Sequence, residues 1–262
     1  MTKARFSATA SLLLALCAAA SAAGLTIDLR NEAALPQQRL DALLPQFKTW
    51  AQRVFDFHHA TPSAPVKLVL TRRVHVGLYV DDVLYLPPDE DGEMLETWIH
   101  ELTHHVLGHE SSFFFKEGSA SYTLEALFAR EHRIPDGWPN YGASCDDWAR
   151  LFDARGQWPA LRTALDWPAY QGDTPENDFR SWQIYLLGCS FSGWTIREQG
   201  YAAFHAAYEK AAPSGAVEDV ERRWLRNLRT ANTPLIKPEA LLPARPRYQG
   251  FARRLAASPA GK

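Results

Sequence analysis

The chain has 262 residues, of which 46% are hydrophobic and 22% charged, with 28 Lys and Arg against 30 Asp and Glu and a formal net charge of −2. That is enough apolar material for one large core or two small lobes. The near balance of charge argues against a nucleic-acid partner, which normally meets a basic excess or stripe.

Lys3 and Arg5 precede an apolar run from Phe6 to Ala20, and Ala20-Ser21-Ala22 supplies small residues for cleavage. This is the pattern of a secretory signal peptide over residues 1–22, cleaved near Ala22. The protein is therefore expected to be exported, to the periplasm or the cell exterior of a bacterium. No later stretch reaches the roughly 18 apolar residues that a membrane helix needs, so no stable membrane insertion is expected. Cys17 leaves with the signal, and Cys145 and Cys189 remain. An oxidising compartment would allow them to pair, two buried thiols are the alternative, and the sequence favours neither.

Leu25 to Arg30 alternates like a strand, and Gln38 to His58 carries Leu40, Phe47, Trp50, Val54 and Phe55 at helical spacing. Val66 to Thr71 reads as a strand. Val74 to Val80 and Val83 to Leu86 read as a hairpin turning at Asp81-Asp82, with Asp89, Glu90 or Asp91 placed to cap the helix that follows.

That helix contains His100-Glu101-Leu102-Thr103-His104, an instance of the His-Glu-x-x-His motif. Residues four apart share a helix face, so both imidazoles can reach one metal ion while Glu101 projects beside it. Zinc suits nitrogen ligands and tetrahedral coordination, and one Zn²⁺ per chain is expected. A catalytic site needs a third protein ligand and an open position, and Glu117, one short loop downstream on the next helix, is the candidate ligand. Glu101 is then the general base that takes a proton from the attacking water and passes it to the leaving amine. Gly108 and His109 are out of register for a third His ligand, so His105 and His109 are read as loop or supporting residues.

His100-Glu101-Leu102-Thr103-His104, followed by Glu117-Gly118-Ser119-Ala120-Ser121-Tyr122, resembles the gluzincin zinc metallopeptidases, in particular small bacterial domains related to the aminopeptidase and thermolysin groups. Tyr185 to Trp194 with Arg197 to Tyr201 is similar to the helix pair that follows the site in those domains. The resemblance spans roughly residues 65–212 and implies three further things. His100, His104 and Glu117 are the metal ligands, Tyr185 is the oxyanion donor, and one strand of the hairpin pairs with an extended peptide or protein substrate.

Between Ile134 and Ser181 several prolines punctuate a region that includes Trp138, Trp148, Trp158 and Trp167. It reads as a loop-rich insertion, about 134–181, with short helices at 146–153 and 160–165 and with aromatics forming a satellite core under the loops. Helices are expected at 179–198, 201–211 and 217–228, and residues 233–262 as an extended C-terminal tail. The expected fold class is α+β: a small mixed β-sheet with an active-site helix, then a mainly helical lobe, in one gluzincin-like domain over 23–232. The expected function is peptide-bond hydrolysis by an exported zinc enzyme. The alternatives are a zinc-binding scaffold without catalysis, or a zinc hydrolase of a non-peptide amide or an envelope polymer.

Overall fold

Alternating apolar and polar residues form β1, Ile27–Asn31, in the computed structural model, which describes residues 24–88, 94–108, 111–168, 174–243 and 246–257. The leader read over residues 1–22, the capping residues Asp89, Glu90 and Asp91, and His109 lie outside the described residues. Helix α1, Gln37–Phe57, carries the chain back to β2, Val66–Leu70, which lies parallel to β1. A parallel neighbour needs such a crossover, and a helix with one apolar face supplies it while covering the sheet.

β3, Leu78–Val80, and β4, Val83–Leu86, complete a four-stranded mixed sheet in the order β1-β2-β4-β3. β4 is parallel to β2, and β3 is antiparallel to β4 at the sheet edge. The turn between them has Asp81 at φ 50° and Asp82 at φ 61°. Two left-handed residues in succession are what a two-residue hairpin turn demands, and Asp tolerates that region better than most. Strand pairing begins only at Leu78, because residues 74–77 instead bring Gly77 against the next helix.

That helix, α2, is Met94–Leu107. Its Trp98, Ile99 and Leu102 are buried against Phe47 of α1 and Leu84 of the sheet. It stops where Gly108 turns to φ 79° while its N–H still reaches the His104 carbonyl, a glycine C-cap. The Tyr208 hydroxyl donates to the Gly108 carbonyl at 2.7 Å and pins this turn.

Helices joined by loops make up the remaining described chain. α3 is Phe113–Ala129, capped by the Ser112 hydroxyl, and α4 is Cys145–Ala154, capped by Ser144. α5, Leu161–Leu165, leads to α6, Pro175–Gln199. α6 starts four residues before the expected Phe179, because Thr174 caps it, Pro175 sits at its first position, and Glu176 and Asp178 suit its positive end. α7, Tyr201–Glu209, α8, Val217–Arg229, α9, Pro238–Leu241, and α10, Pro246–Ala257, follow. Among the described residues no helix is long and apolar enough to cross a membrane.

The α+β class is as expected, but two boundaries are not. Residues 134–181 are no insertion over a satellite core. Its Trp148 and Phe152 are fully buried together with Phe114, Phe115, Trp182 and Phe191, so the segment is part of the lobe's core. Residues 233–262 are not simply extended either: they contain α9 and α10, and Phe251 and Leu255 of α10 are buried in that same core. Tyr248, Phe251, Ala252 and Leu255 recur at helical spacing, a signal in the sequence that the expectation of an extended tail passed over. A disulfide joins Cys145 of α4 to Cys189 of α6 across 44 residues, which answers the question the sequence left open. Closing a loop of that length removes unfolded-state freedom worth about 4 kcal/mol.

His58, at the end of α1, is buried between the lobes' helices. Thr123 already donates its hydroxyl to the Ser119 carbonyl, so His58 Nε2–H donates to Thr123 Oγ1 at 2.9 Å and Nδ1 accepts from the Tyr201 hydroxyl at 2.8 Å. This is a neutral imidazole. Burial, then the nearby His205 and His59, lower its pKa to about 3. Between the ordinary value of 6.5 and that depressed value the unfolded chain binds a proton that the folded chain does not. Stability is thus retained above about pH 6.5 and falls as the pH drops toward 3, by roughly 4–5 kcal/mol in total from this group. Urea unfolding at pH 7, 5.5 and 4.5 reads the slope. In His58→Gln, which cannot titrate, the slope is expected to be shallower by that share, and an identical slope would remove His58 as its source.

Candidate metal centre

His100 and His104 lie one turn apart on the face of α2 that meets α3. Thr103, fully buried behind them, donates its hydroxyl to the Ile99 carbonyl and so presents no unpaired polar group to the core. Ser112 starts α3 so that Glu117 falls in its second turn, buried and facing both imidazoles. Glu117 Oε2 is 3.0 Å from His100 Nε2 and 3.5 Å from His104 Nε2. The donor atoms of the three residues all lie within 4.8 Å of one another.

A tetrahedral zinc site with bonds of about 2.0–2.1 Å sets its donor atoms about 3.4 Å apart. The separations to Glu117 bracket that value. Two imidazole nitrogens and one carboxylate oxygen are also a donor set found in catalytic zinc sites, so the residues fit the ion. Electrostatics point the same way. Burial works against the charged form of Glu117, but His104 and His100 outweigh it and hold the carboxyl well below the usual range. Burial lowers His100, yet its hydrogen bond to Glu117 and the charges of Glu101 and Glu117 leave it raised. The two carboxylates thus favour positive charge on His100, against the Lys116 ammonium 3.9 Å from Glu117 Oε1.

Close helix approach makes this convergence possible. α3 and α6 cross with Gly118 against Gly188, and a Cβ at Gly188 would stand 2.9 Å from Gly118 Cα and closer still to the Phe114 carbonyl oxygen. Side chains are absent at the crossing because backbones fill it. Ser121 and Thr123 donate back to the Glu117 and Ser119 carbonyls, so α3 buries a hydroxyl-rich face with those donors satisfied.

The crossing brings Tyr185 of α6 to the site. Its ring stacks on His100 with centroids 5.9 Å apart and planes 17° from parallel. Burial, the Glu117 charge and a hydrogen bond to that carboxylate push the Tyr185 hydroxyl well above its ordinary pKa. It keeps its proton and acts as a donor.

Glu101 is 8% exposed and is not among the converging donor atoms. Gly77 packs on it so closely that a Cβ there would lie 2.7 Å from Glu101 Cγ and 3.1 Å from its Oε1. His105, read as a supporting residue, turns away from the cluster. Its Nδ1 is 3.2 Å from Asp82 Oδ1, and Tyr79 donates to the same oxygen at 3.1 Å. This ties the hairpin turn to α2 and sets the edge strand β3 beside the helix that carries His100 and His104.

All five residues singled out by the sequence, His100, Glu101, His104, Glu117 and Tyr185, therefore belong to one neighbourhood. Sequence reading missed Glu96, one turn before His100 on the same face, whose carboxylate holds the backbone of Asp136 and Gly137. Its helical spacing was a readable signal, but its partner 40 residues away was not. A second group of possible ligands, Glu125 with Cys145 and Cys189, is no metal site, because the two sulfurs are bonded to each other. Burial pushes the Glu125 carboxyl up to about 7 although the Cys145 amide donates to it. No protein-family model matches the chain, and a search of curated proteins finds none similar to it.

Proposed function

We propose that this chain is an exported zinc-dependent metallopeptidase of gluzincin type that hydrolyses peptide bonds in a peptide or protein substrate. The observation that carries the reading is the convergence of His100, His104 and Glu117 from two helices, with Glu101 on the metal-bearing helix and outside the ligand set. A structural zinc site closes all four positions with protein ligands, whereas three ligands and a spare carboxylate leave room for reaction. When bound, zinc supplies Lewis acidity that polarises a carbonyl and eases ionisation of water.

The chain's own residues do the rest. Glu101, pressed by Gly77, takes the proton from the attacking water and delivers it to the departing amine. Tyr185, protonated across the working pH range, donates to the oxyanion. β3 offers the free edge of the sheet to an extended peptide backbone, which adds as a strand. The edge is steadied by the contacts of Asp82 with His105 and Tyr79. The leader pattern over residues 1–22 and the Cys145–Cys189 disulfide both support export to an oxidising compartment.

The test measures zinc content and chelator-sensitive cleavage of a mixed peptide library, using protein lacking residues 1–22. Wild type is expected to hold one zinc per chain and to cleave. Glu117→Ala is expected to lose both, since two imidazoles alone leave the site short of a ligand and of its charge. Zinc bound without cleavage of any peptide would favour the scaffold reading. Absence of zinc in the wild type would remove the basis of the proposal.

A further inference from the structure

Glu96, His100 and His104 form one row on α2, and the first of them lies outside the group of converging donor atoms. Its two carboxylate oxygens accept the backbone N–H groups of Asp136 at 3.2 Å and Gly137 at 3.1 Å. Glu96 Oε2 fills the space that a Cβ at Gly137 would take, so only glycine lets the loop come this close. The same loop is fastened from below. Trp182 donates its indole N–H to the Pro139 carbonyl at 2.9 Å, and Trp148 donates to the Asn140 carbonyl at 2.6 Å. The loop closes on itself where Gly142 N–H meets the Pro135 carbonyl.

Trp138 sits on the loop so fastened, between the Glu96 and Trp182 attachments. Its ring meets the Tyr185 ring edge-to-face with centroids 5.6 Å apart, and Phe113 meets the other side of Tyr185 at the same distance. Tyr185 itself stacks on the ligand His100. Trp138, Tyr185 and Phe113 are each only half-buried, unlike Trp148 and Trp182 beneath them. Three partly exposed rings, two of them packed on the Tyr185 ring that stacks on His100, with the loop fastened at Asp136, Gly137, Pro139 and Asn140, make an apolar wall. Such walls accept aromatic faces in offset or edge-on contact.

We propose that the 135–142 loop is one wall of the substrate cleft. Trp138, with Tyr185 and Phe113, forms a subsite for an aromatic side chain next to the reacting bond. Glu96 is the positioning residue that holds Trp138 in place. The substrate part rests on the peptidase reading, and the experiment separates the two.

Binding of two hydroxamates, one carrying a benzyl and one a methyl group, is measured on zinc-loaded full-length mature protein without any turnover. Zinc content is measured alongside. Wild type is expected to prefer the benzyl compound by about 10-fold or more, the range in which an apolar pocket discriminates. Trp138→Ala and Glu96→Ala are expected to erase that preference while zinc content and methyl-hydroxamate affinity stay unchanged. Glu96→Gln keeps one acceptor oxygen but turns an NH2 group toward the second backbone N–H, so it should retain only part of the preference. Hydrogen exchange should quicken at both the Asp136 and Gly137 amides in Glu96→Ala, and at only one of the two in Glu96→Gln. Equal binding of the two compounds by zinc-loaded wild type, or a preference that survives Trp138→Ala, would overturn the subsite. Protein that prefers the benzyl compound yet cleaves no peptide would sink the peptidase reading and the substrate part with it, while the aromatic subsite held by Glu96 would stand.

Discussion

Glu101→Gln is expected to lower peptide turnover by about 10²- to 10⁴-fold, the contribution of one positioned proton-transfer group. Zinc content should not change, because Glu101 supplies none of the converging donor atoms. Gln has nearly the same shape, so the contact with Gly77 persists and the local fold is undisturbed. What is lost is basicity alone. A parallel loss of metal would mean that Glu101 is a ligand, and unchanged turnover would end its assignment as the base. Measured together, turnover and zinc stoichiometry separate these outcomes in a way that activity by itself does not.

The second large effect is structural. Gly118→Ala and Gly188→Ala each place a methyl group against the backbone of the opposing helix, where no side chain can swing aside. Alanine would gain about 1 kcal/mol from helix propensity at either position. Overpacking normally costs about 1–3 kcal/mol and reaches its upper end or beyond when backbone must move. Steric cost wins, and the expected net loss is about 2 kcal/mol or more, with the melting temperature falling by roughly 4–8 °C for a chain of this size. Gly24→Ala, whose Cβ meets nothing within 4 Å, is the control and should leave it unchanged. Because Glu117 adjoins Gly118 and Tyr185 lies one turn before Gly188, the same substitutions should also weaken zinc binding. An unaltered melting temperature in both variants would mean that the helices do not meet at these glycines.

These two predictions draw on different kinds of information. Glu101 and its neighbours were legible because the chemistry is written at helical spacing: positions four apart share a face wherever the helix is placed. The hairpin was legible at Asp81-Asp82 for a similar local reason. Glu117 needed only a short loop to return it to the same neighbourhood.

Beyond that range the sequence by itself determined less. It established the α+β class, the order of the strands and helices from β1 to α8, the converging ligand candidates and the leader pattern. Tertiary structure alone decided that Cys145 pairs with Cys189, that α10 completes the lobe core, and that Glu96 grips a loop 40 residues away. It also decided that Gly118 meets Gly188. Each of these is a contact between segments whose separation along the chain carries no periodic signal. Local patterns record which face of an element is apolar, and only packing of all the faces together settles which of them touch.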